Sequence, residues 1–316
     1  MKRPIVIAHR GASGYLPEHT LEAKALAYAM GADFLEQDCV LTSDDVPVVL
    51  HDVHLDTVTN VAAVFAGRKR DDGRYYAIDF TLAEIKSLRV TERIDLKTGK
   101  PVFPGRFPAG KGRFEVPTLV EELELIEGLN RSTGKNIGIY PEIKKPAWHR
   151  AQGKDISRGV LHVLDDYGYR SSEDACYVQC FDPAETRRLR KEFGCGLQLV
   201  QLIGENDWKE APCDYDALRT AAGLRQIAEY ADGIGPALQH VLSGADRDGK
   251  PLVTPLVESA HRHGLVVHPY TLRADDLPEW CDDFDALLRM CYGDAGVDGL
   301  FTDFPDRAAR VRDGLG

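Results

Sequence analysis

The sequence predicts a parallel α/β barrel, the (β/α)₈ or TIM barrel, on three observations. Short β-branched apolar runs alternate with longer helix-patterned stretches along 316 residues. No G-x-G-x-x-G loop follows the first run, which disfavours a doubly wound dinucleotide-binding sheet. Polar residues stand at the ends of many strands rather than at one switch point. In chain order, residues 4–9 form the first strand, built on Ile5, Val6 and Ile7. Residues 18–30 read as a helix with Leu21, Ala25 and Leu26 on one face and Gly31 as its C-cap. Strands follow at 33–41 and, as a short extended run, 46–50. Further strands are expected at 136–142, 176–179, 197–203, 232–235, 265–270 and 297–302. Helices are expected at 155–167, 183–192, 217–230, 254–263 and 284–295. A last helix begins at Pro305, proline being favoured at the first helical position.

One stretch breaks the alternation. Residues 52–117 carry turn signals (Asp71-Asp72-Gly73, Thr98-Gly99), a basic run (Arg68-Lys69-Arg70) and a Pro/Gly-rich segment at 101–112. A structureless loop of that length is not expected inside a compact domain. The stretch therefore reads as a subdomain inserted between the second and third barrel strands and capping the barrel mouth, within a single domain of residues 1–316. No internal repeat or low-complexity tract is present.

Composition narrows the function classes. Acidic residues outnumber basic ones, 50 to 39, for a formal charge of −11. Such a surface repels nucleic acid, and no partner of that kind is expected. An anionic small-molecule substrate requires a local positive centre. No run of 18 apolar residues exists, so membrane insertion is not expected. Seven cysteines without a C-x-x-C pair argue against both a disulfide framework and a zinc site. Cys176 and Cys180 read as small core residues. The N-terminus has no apolar segment, so the expectation is a cytoplasmic protein, with a periplasmic one as the alternative if a signal peptide has been removed. Nothing in the sequence indicates an oligomeric state.

The strand ends carry the chemistry: His9-Arg10, Glu36 and Asp38, His51-Asp52, Glu142 and Lys144, Gln179 and Phe181, His268 and Tyr270, and Asp303. Glu36 and Asp38 are two apart on a strand and point to one face. Two carboxylates side by side in a barrel interior are costly unless a cation lies between them. By spacing alone a solvated or arginine-paired acidic pair is the alternative, and Glu142 at a matching position tips the reading towards metal. Three carboxylates suit a hard cation, Ca²⁺ favoured and Mg²⁺ possible. A lone histidine at a strand end is more often structural than catalytic. His9 and His51 together, near acidic residues, make an acid/base pair plausible. Arg10 and Lys144 could clamp a phosphate or balance the carboxylates. Gln179, Phe181, Tyr270 and Trp148 are candidates for a substrate wall. His261 and His263 read as residues of an exposed helix end.

The run Ile7-Ala8-His9-Arg10-Gly11-Ala12-Ser13-Gly14, with Pro17-Glu18-His19-Thr20, closely resembles the opening of glycerophosphodiester phosphodiesterases. The match continues through Leu35-Glu36-Gln37-Asp38, Val49-Leu50-His51-Asp52 and Tyr140-Pro141-Glu142-Ile143-Lys144. It extends to Val178-Gln179-Cys180-Phe181, His268-Pro269-Tyr270-Thr271 and Gly299-Leu300-Phe301-Thr302-Asp303-Phe304-Pro305. The insertion looks like that of the longer, periplasmic-type bacterial branch. The resemblance implies hydrolysis of glycerophosphodiesters to glycerol 3-phosphate and an alcohol. It implies a divalent metal on Glu36, Asp38 and Glu142, acid/base roles for His9 and His51, and phosphate contacts from Arg10 and Lys144. His19 stands where many relatives carry Asn, although the branch this chain most resembles also carries His. A phospholipase on the same barrel and a catalytically idle binding protein are the rival readings.

Overall fold

The computed structural model describes residues 3–315; Met1, Lys2 and Gly316, which the sequence reading includes in its single domain, lie outside the described residues. In chain order the strands are β1 (Ile5–Ala8), β2 (Phe34–Leu41), β3 (Pro47–Val49), β4 (Gly138–Ile143), β5 (Tyr177–Cys180) and β6 (Gln198–Ile203). They continue with β7 (Gly233–Pro236), β8 (Leu242–Ala245), β9 (Pro251–Val253), β10 (Val266–Val267) and β11 (Gly299–Thr302). Eight of them run parallel in the order β10-β7-β6-β5-β4-β2-β1-β11. Backbone bonds bring the two ends of this row together: Asp298 N to Val267 O at 3.1 Å and Phe301 N to Pro269 O at 2.9 Å. The predicted barrel is therefore present. Its last seam is made of single bonds rather than a regular ladder, because Pro269 has no N–H to donate.

Alternation along the strands sorts the side chains. Leu35, Ile139, Val178, Leu199, Ile234 and Leu300 face outwards into the shell of helices and are buried there. Ile7, Tyr140, Val200 and Phe301 face inwards and fill the barrel floor. Tyr140 stacks on Tyr177 at 5.0 Å and meets Phe301 edge-on at 4.9 Å. Gly299 makes room for this packing at the β1–β11 seam: a Cβ there would lie 2.3 Å from Ile5 Cγ1 and 2.9 Å from Ile5 O.

Most expected helices form where their caps predict. Thr20 accepts from Ala23 N to start Leu21–Ala29, and Pro305 opens Pro305–Asp313. The expected helix at 217–230 splits into Tyr215–Leu218 and Ala221–Ile227, because Thr220 caps a new start by accepting from Gly223 N at 3.1 Å. Outside residues 52–117, the helices Leu119–Thr133 and Pro146–Ala151 and the hairpin β8–β9 are not among the expected elements. The first of these opens with a full capping box, Thr118 and Glu121.

Residues 52–117 hold only short helical turns and isolated bridges, yet they bury a core of their own. Leu55, Val58, Tyr75, Phe80, Ile85 and Phe114 belong to one cluster with Val40, Val48 and Leu50 of the barrel side. Both arginines of the basic run are paired within the insertion: Arg68 meets Glu84 at 2.8 Å and Arg70 forks onto Asp79 at 2.7 Å. All seven cysteines are free thiols, with Cys176 and Cys180 fully buried in the core. Among the described residues no helix is long and apolar enough to cross a membrane.

Candidate active site

Strand register assembles the polar residues. Parallel pairing of β2 with β4 sets Asp38 beside Glu142, and pairing of β4 with β5 sets Glu142 beside Gln179. Glu36, Asp38 and Glu142 are all buried, each offering an oxygen within 4.8 Å of the others. Glu36 accepts from the backbone N–H of Arg10 at 2.8 Å and from Gln179 Nε2 at 2.9 Å. Asp38 Oδ2 accepts from His19 Nε2 at 2.7 Å, while Asp38 Oδ1 has no hydrogen-bond partner among the described residues. Glu142 pairs with Lys144 Nζ at 2.8 Å.

The electrostatics of the three are uneven. Burial, then the neighbouring Asp38, pushes the Glu36 carboxyl up to about 8. Burial also drives Glu142 well above the usual range despite Lys144. Burial alone would raise Asp38, but Lys144 and His19 outweigh it and hold that carboxyl well below its ordinary value. The site therefore demands positive charge that its own side chains do not fully supply. An orphaned buried oxygen and three converging carboxylates fit a hard divalent cation.

Two histidines flank the carboxylates. His9 Nδ1 donates to Asp303 Oδ1 at 2.5 Å, and its Nε2 lies 3.9 Å from Glu36 Oε2. His51 Nδ1 donates to Asp52 Oδ1 at 2.7 Å. Asp303 and Asp52 are both held well below the carboxylate range; burial opposes this, but Arg273 and Arg93 respectively overcome it. An ionised aspartate only accepts, so each Nδ1 carries the proton and each Nε2 keeps a free lone pair. Burial lowers His9 to about 4 and His51 to about 3, with the cations Arg10 and Lys144 adding to the effect at His51. Both rings are neutral near pH 7.

These groups line one cavity of about 530 Å³ together with Arg10 and Lys144. Its other wall is apolar and includes Phe181, Tyr270, Trp208, Leu202 and Leu238. Phe181 and Tyr270 meet edge-on at 5.8 Å, and Trp208 leans on Tyr270 at 6.5 Å. Trp148 is placed elsewhere: it stacks on Tyr76 at 5.5 Å, and Trp208 takes the wall position expected of it. Gln179 lines the cavity and also braces Glu36. Arg10 is tied by Glu18 at 3.0 Å and approaches Asp38 at 3.6 Å. Arg10, His19 and Lys145 hold left-handed φ values of 57°, 60° and 44°, so strained backbone clusters at this rim. His268 points into the floor and bonds Tyr140 Oη at 2.9 Å. His261 is exposed and meets Asp298.

Several contributors were not given roles by the sequence. Asp303 is 294 residues from His9. The signal was topological: in a closed barrel the last strand pairs with the first, and Ala8 lies opposite Thr302. Arg93, Arg106 and Arg273, which reach the aspartates behind the histidines, left no trace in local pattern.

Residues 9–307 match the Glycerophosphoryl diester phosphodiesterase family. A glycerophosphodiester phosphodiesterase of Haemophilus influenzae is 45% identical over 98% of this chain and 90% of its own length. A crystal structure from Silicibacter pomeroyi superposes with a TM-score of 0.72 at 28% identity, covering 99% of this chain and 94% of that one. An Oleispira antarctica phosphodiesterase solved with its product sn-glycerol-3-phosphate shares the fold, with a TM-score of 0.65 at 20% identity over 98% of this chain and 97% of its own. With the motifs, the barrel and these likenesses in agreement, the chain belongs to the glycerophosphoryl diester phosphodiesterase family.

Proposed function

We propose that the protein hydrolyses glycerophosphodiesters to glycerol 3-phosphate and an alcohol, with a divalent cation on Glu36, Asp38 and Glu142, Ca²⁺ favoured and Mg²⁺ possible. The observation that carries this reading is the placement of two aspartate-backed histidines around three converging carboxylates in one cavity. A cation held there supplies Lewis-acid polarisation of the phosphoryl group. Arg10 and Lys144 bind the phosphate oxygens and offset the charge that builds in the transition state. One neutral imidazole takes the proton of the attacking hydroxyl or water at Nε2; the other ring, protonated at Nε2 from solvent once the anionic phosphodiester is bound, gives that proton to the departing alcohol. Such positioned proton transfer contributes roughly 10²–10⁴-fold. Asp303 and Asp52 stabilise the imidazolium that forms on either side. Gln179 keeps Glu36 oriented, while Phe181 and Tyr270 shield the reacting end from bulk water.

Residues 52–117 are read as a cap belonging to the same domain, supported by their shared core with β2 and β3 and by Arg93 and Arg106 reaching the rim. The test is release of glycerol 3-phosphate from glycerophosphocholine in EDTA and after adding back Ca²⁺ or Mg²⁺. Metal-restored release is the expected result. No release with either ion, on folded protein, overturns the reading in favour of a lipid-sized substrate or a binding role.

A further inference from the structure

The insertion reaches both histidines through matching contacts. Asp52 gives one carboxylate oxygen to His51 Nδ1, and its other oxygen accepts from Arg93 Nη1 at 2.6 Å. Asp303 gives one oxygen to His9 Nδ1, and its other oxygen accepts from Arg106 Nη2 at 2.7 Å. Arg93 and Arg106 both come from residues 52–117, whereas His9 and Asp303 come from the barrel. Neither side chain is free to wander: 16% and 5% of their surfaces are exposed.

Each guanidinium is fixed at its far side as well. Arg93 forks onto Glu18 at 2.6 and 2.9 Å, and Glu18 in turn holds Arg10 at 3.0 Å. Arg106 forks onto Asp275 at 2.8 and 2.9 Å and donates to the backbone oxygen of Ser13 at 3.1 Å. A fork of this kind is planar and directional, so it fixes the guanidinium and aims its remaining N–H at one oxygen of Asp52 or Asp303. With one oxygen so engaged and the group ionised, the other oxygen keeps the proton of its histidine on Nδ1, leaving Nε2 turned to the cavity.

We infer that Arg93 and Arg106 are positioning residues for the two histidines, so that the inserted segment sets the acid/base pair from outside the barrel. The inference rests on the roles proposed for His9 and His51. Arg93 has a second reach, since through Glu18 it also aims Arg10 at the phosphate. Loss of Arg93 is therefore expected to raise KM as well as lower kcat, whereas loss of Arg106 lowers kcat alone.

The experiment is a pair of double-mutant cycles, Arg93→Gln with Asp52→Asn and Arg106→Gln with Asp303→Asn, read as kcat and KM on glycerophosphocholine. Each arginine variant is expected to lose roughly 10–100-fold in kcat, the usual cost of removing an outer partner. In the background of its own aspartate variant the same change is expected to cost less than about threefold, because the ionised carboxylate through which the arginine acts is already gone. Arg93→Lys and Arg106→Lys keep the charge without the fork and serve if a glutamine variant does not fold; partial recovery is expected from both. Millimolar guanidinium is expected to restore part of the rate of Arg93→Ala. Wild-type kcat in the arginine variants, or full additivity with the aspartates, overturns the inference. His9→Ala and His51→Ala run alongside: if they keep wild-type rates, it is the proposed chemistry that fails, not the arginine contacts alone.

Discussion

The two aspartate–histidine pairs share one contact geometry with different construction. His51 and Asp52 are neighbours in sequence, and 29% and 25% of their side-chain surfaces are exposed. His9 and Asp303 lie 294 residues apart, with 10% and 2% exposed. The first pair forms wherever its loop forms. The second forms only when the last strand closes on the first. A local pair is cheap to assemble but loosely held, and here it is braced by Thr57 and Arg93. A closure-built pair inherits the rigidity of the barrel, and two arginines converge on its aspartate.

The contrast can be tested at descending scale. If both pairs act in proton transfer, His9→Ala and His51→Ala each lower kcat by roughly 10²–10⁴-fold, measured on glycerophosphocholine. A nitrophenyl leaving group needs little protonation and should spare one of the two variants, which identifies the acid. The pairs should then part company in stability. Asp303→Ala leaves Arg106 and Arg273 without a shared buried acceptor and should cost about 3–5 kcal/mol in urea unfolding. Asp52→Ala, at a site one quarter exposed where Arg93 keeps its fork on Glu18, should cost about 1 kcal/mol or less. Equal losses would erase the distinction between local and closure-built pairs.

Gly299→Ala probes the seam itself. Its new Cβ would press on the Ile5 backbone of β1. We expect a loss of about 1–3 kcal/mol. Activity should fall through the His9 side only, so that further removal of His9 adds less than removal of His51. The smallest effect concerns Glu92, beside Arg93 on the insertion, 4% exposed and with Oε2 unpartnered among the described residues. Burial, then Glu18, pushes its carboxyl up to about 7 from an ordinary value of 4.5. The folded value is the higher one, so the stability it carries is full below about pH 4.5 and is lost as pH rises through 7. Glu92→Gln should therefore stabilise the fold by about 1 kcal/mol at pH 8, with no gain at pH 4, in thermal unfolding.

The barrel and much of its site could be read in advance for identifiable reasons. Glu36 and Asp38 share a face because strands have a period of two, and Glu142 falls at the end of another apolar run. His51 and Asp52 are adjacent, so their contact needed no topology. Asp303 required knowing which strands meet, and Arg93 and Arg106 required the path of a segment without periodic pattern. The helix Leu119–Thr133 carries its capping box in the sequence, but it directly follows a Pro/Gly-rich stretch without periodic pattern, which masks its start. Trp148 and Trp208 differ in nothing a sequence displays; only the fold places one on Tyr76 and the other at the cavity wall.

The β1–β11 seam makes the rim of the cavity depend on the final strand. While a ribosome is still extending the chain, His9 exists but Asp303 does not, and nothing holds the ring in its working tautomer. If His9 acts as proposed, its proton transfer requires the whole barrel to be made and shut. Incomplete chains released early carry the carboxylates and both histidines yet lack Asp303, so the geometry of the site is complete only when synthesis has run to the end.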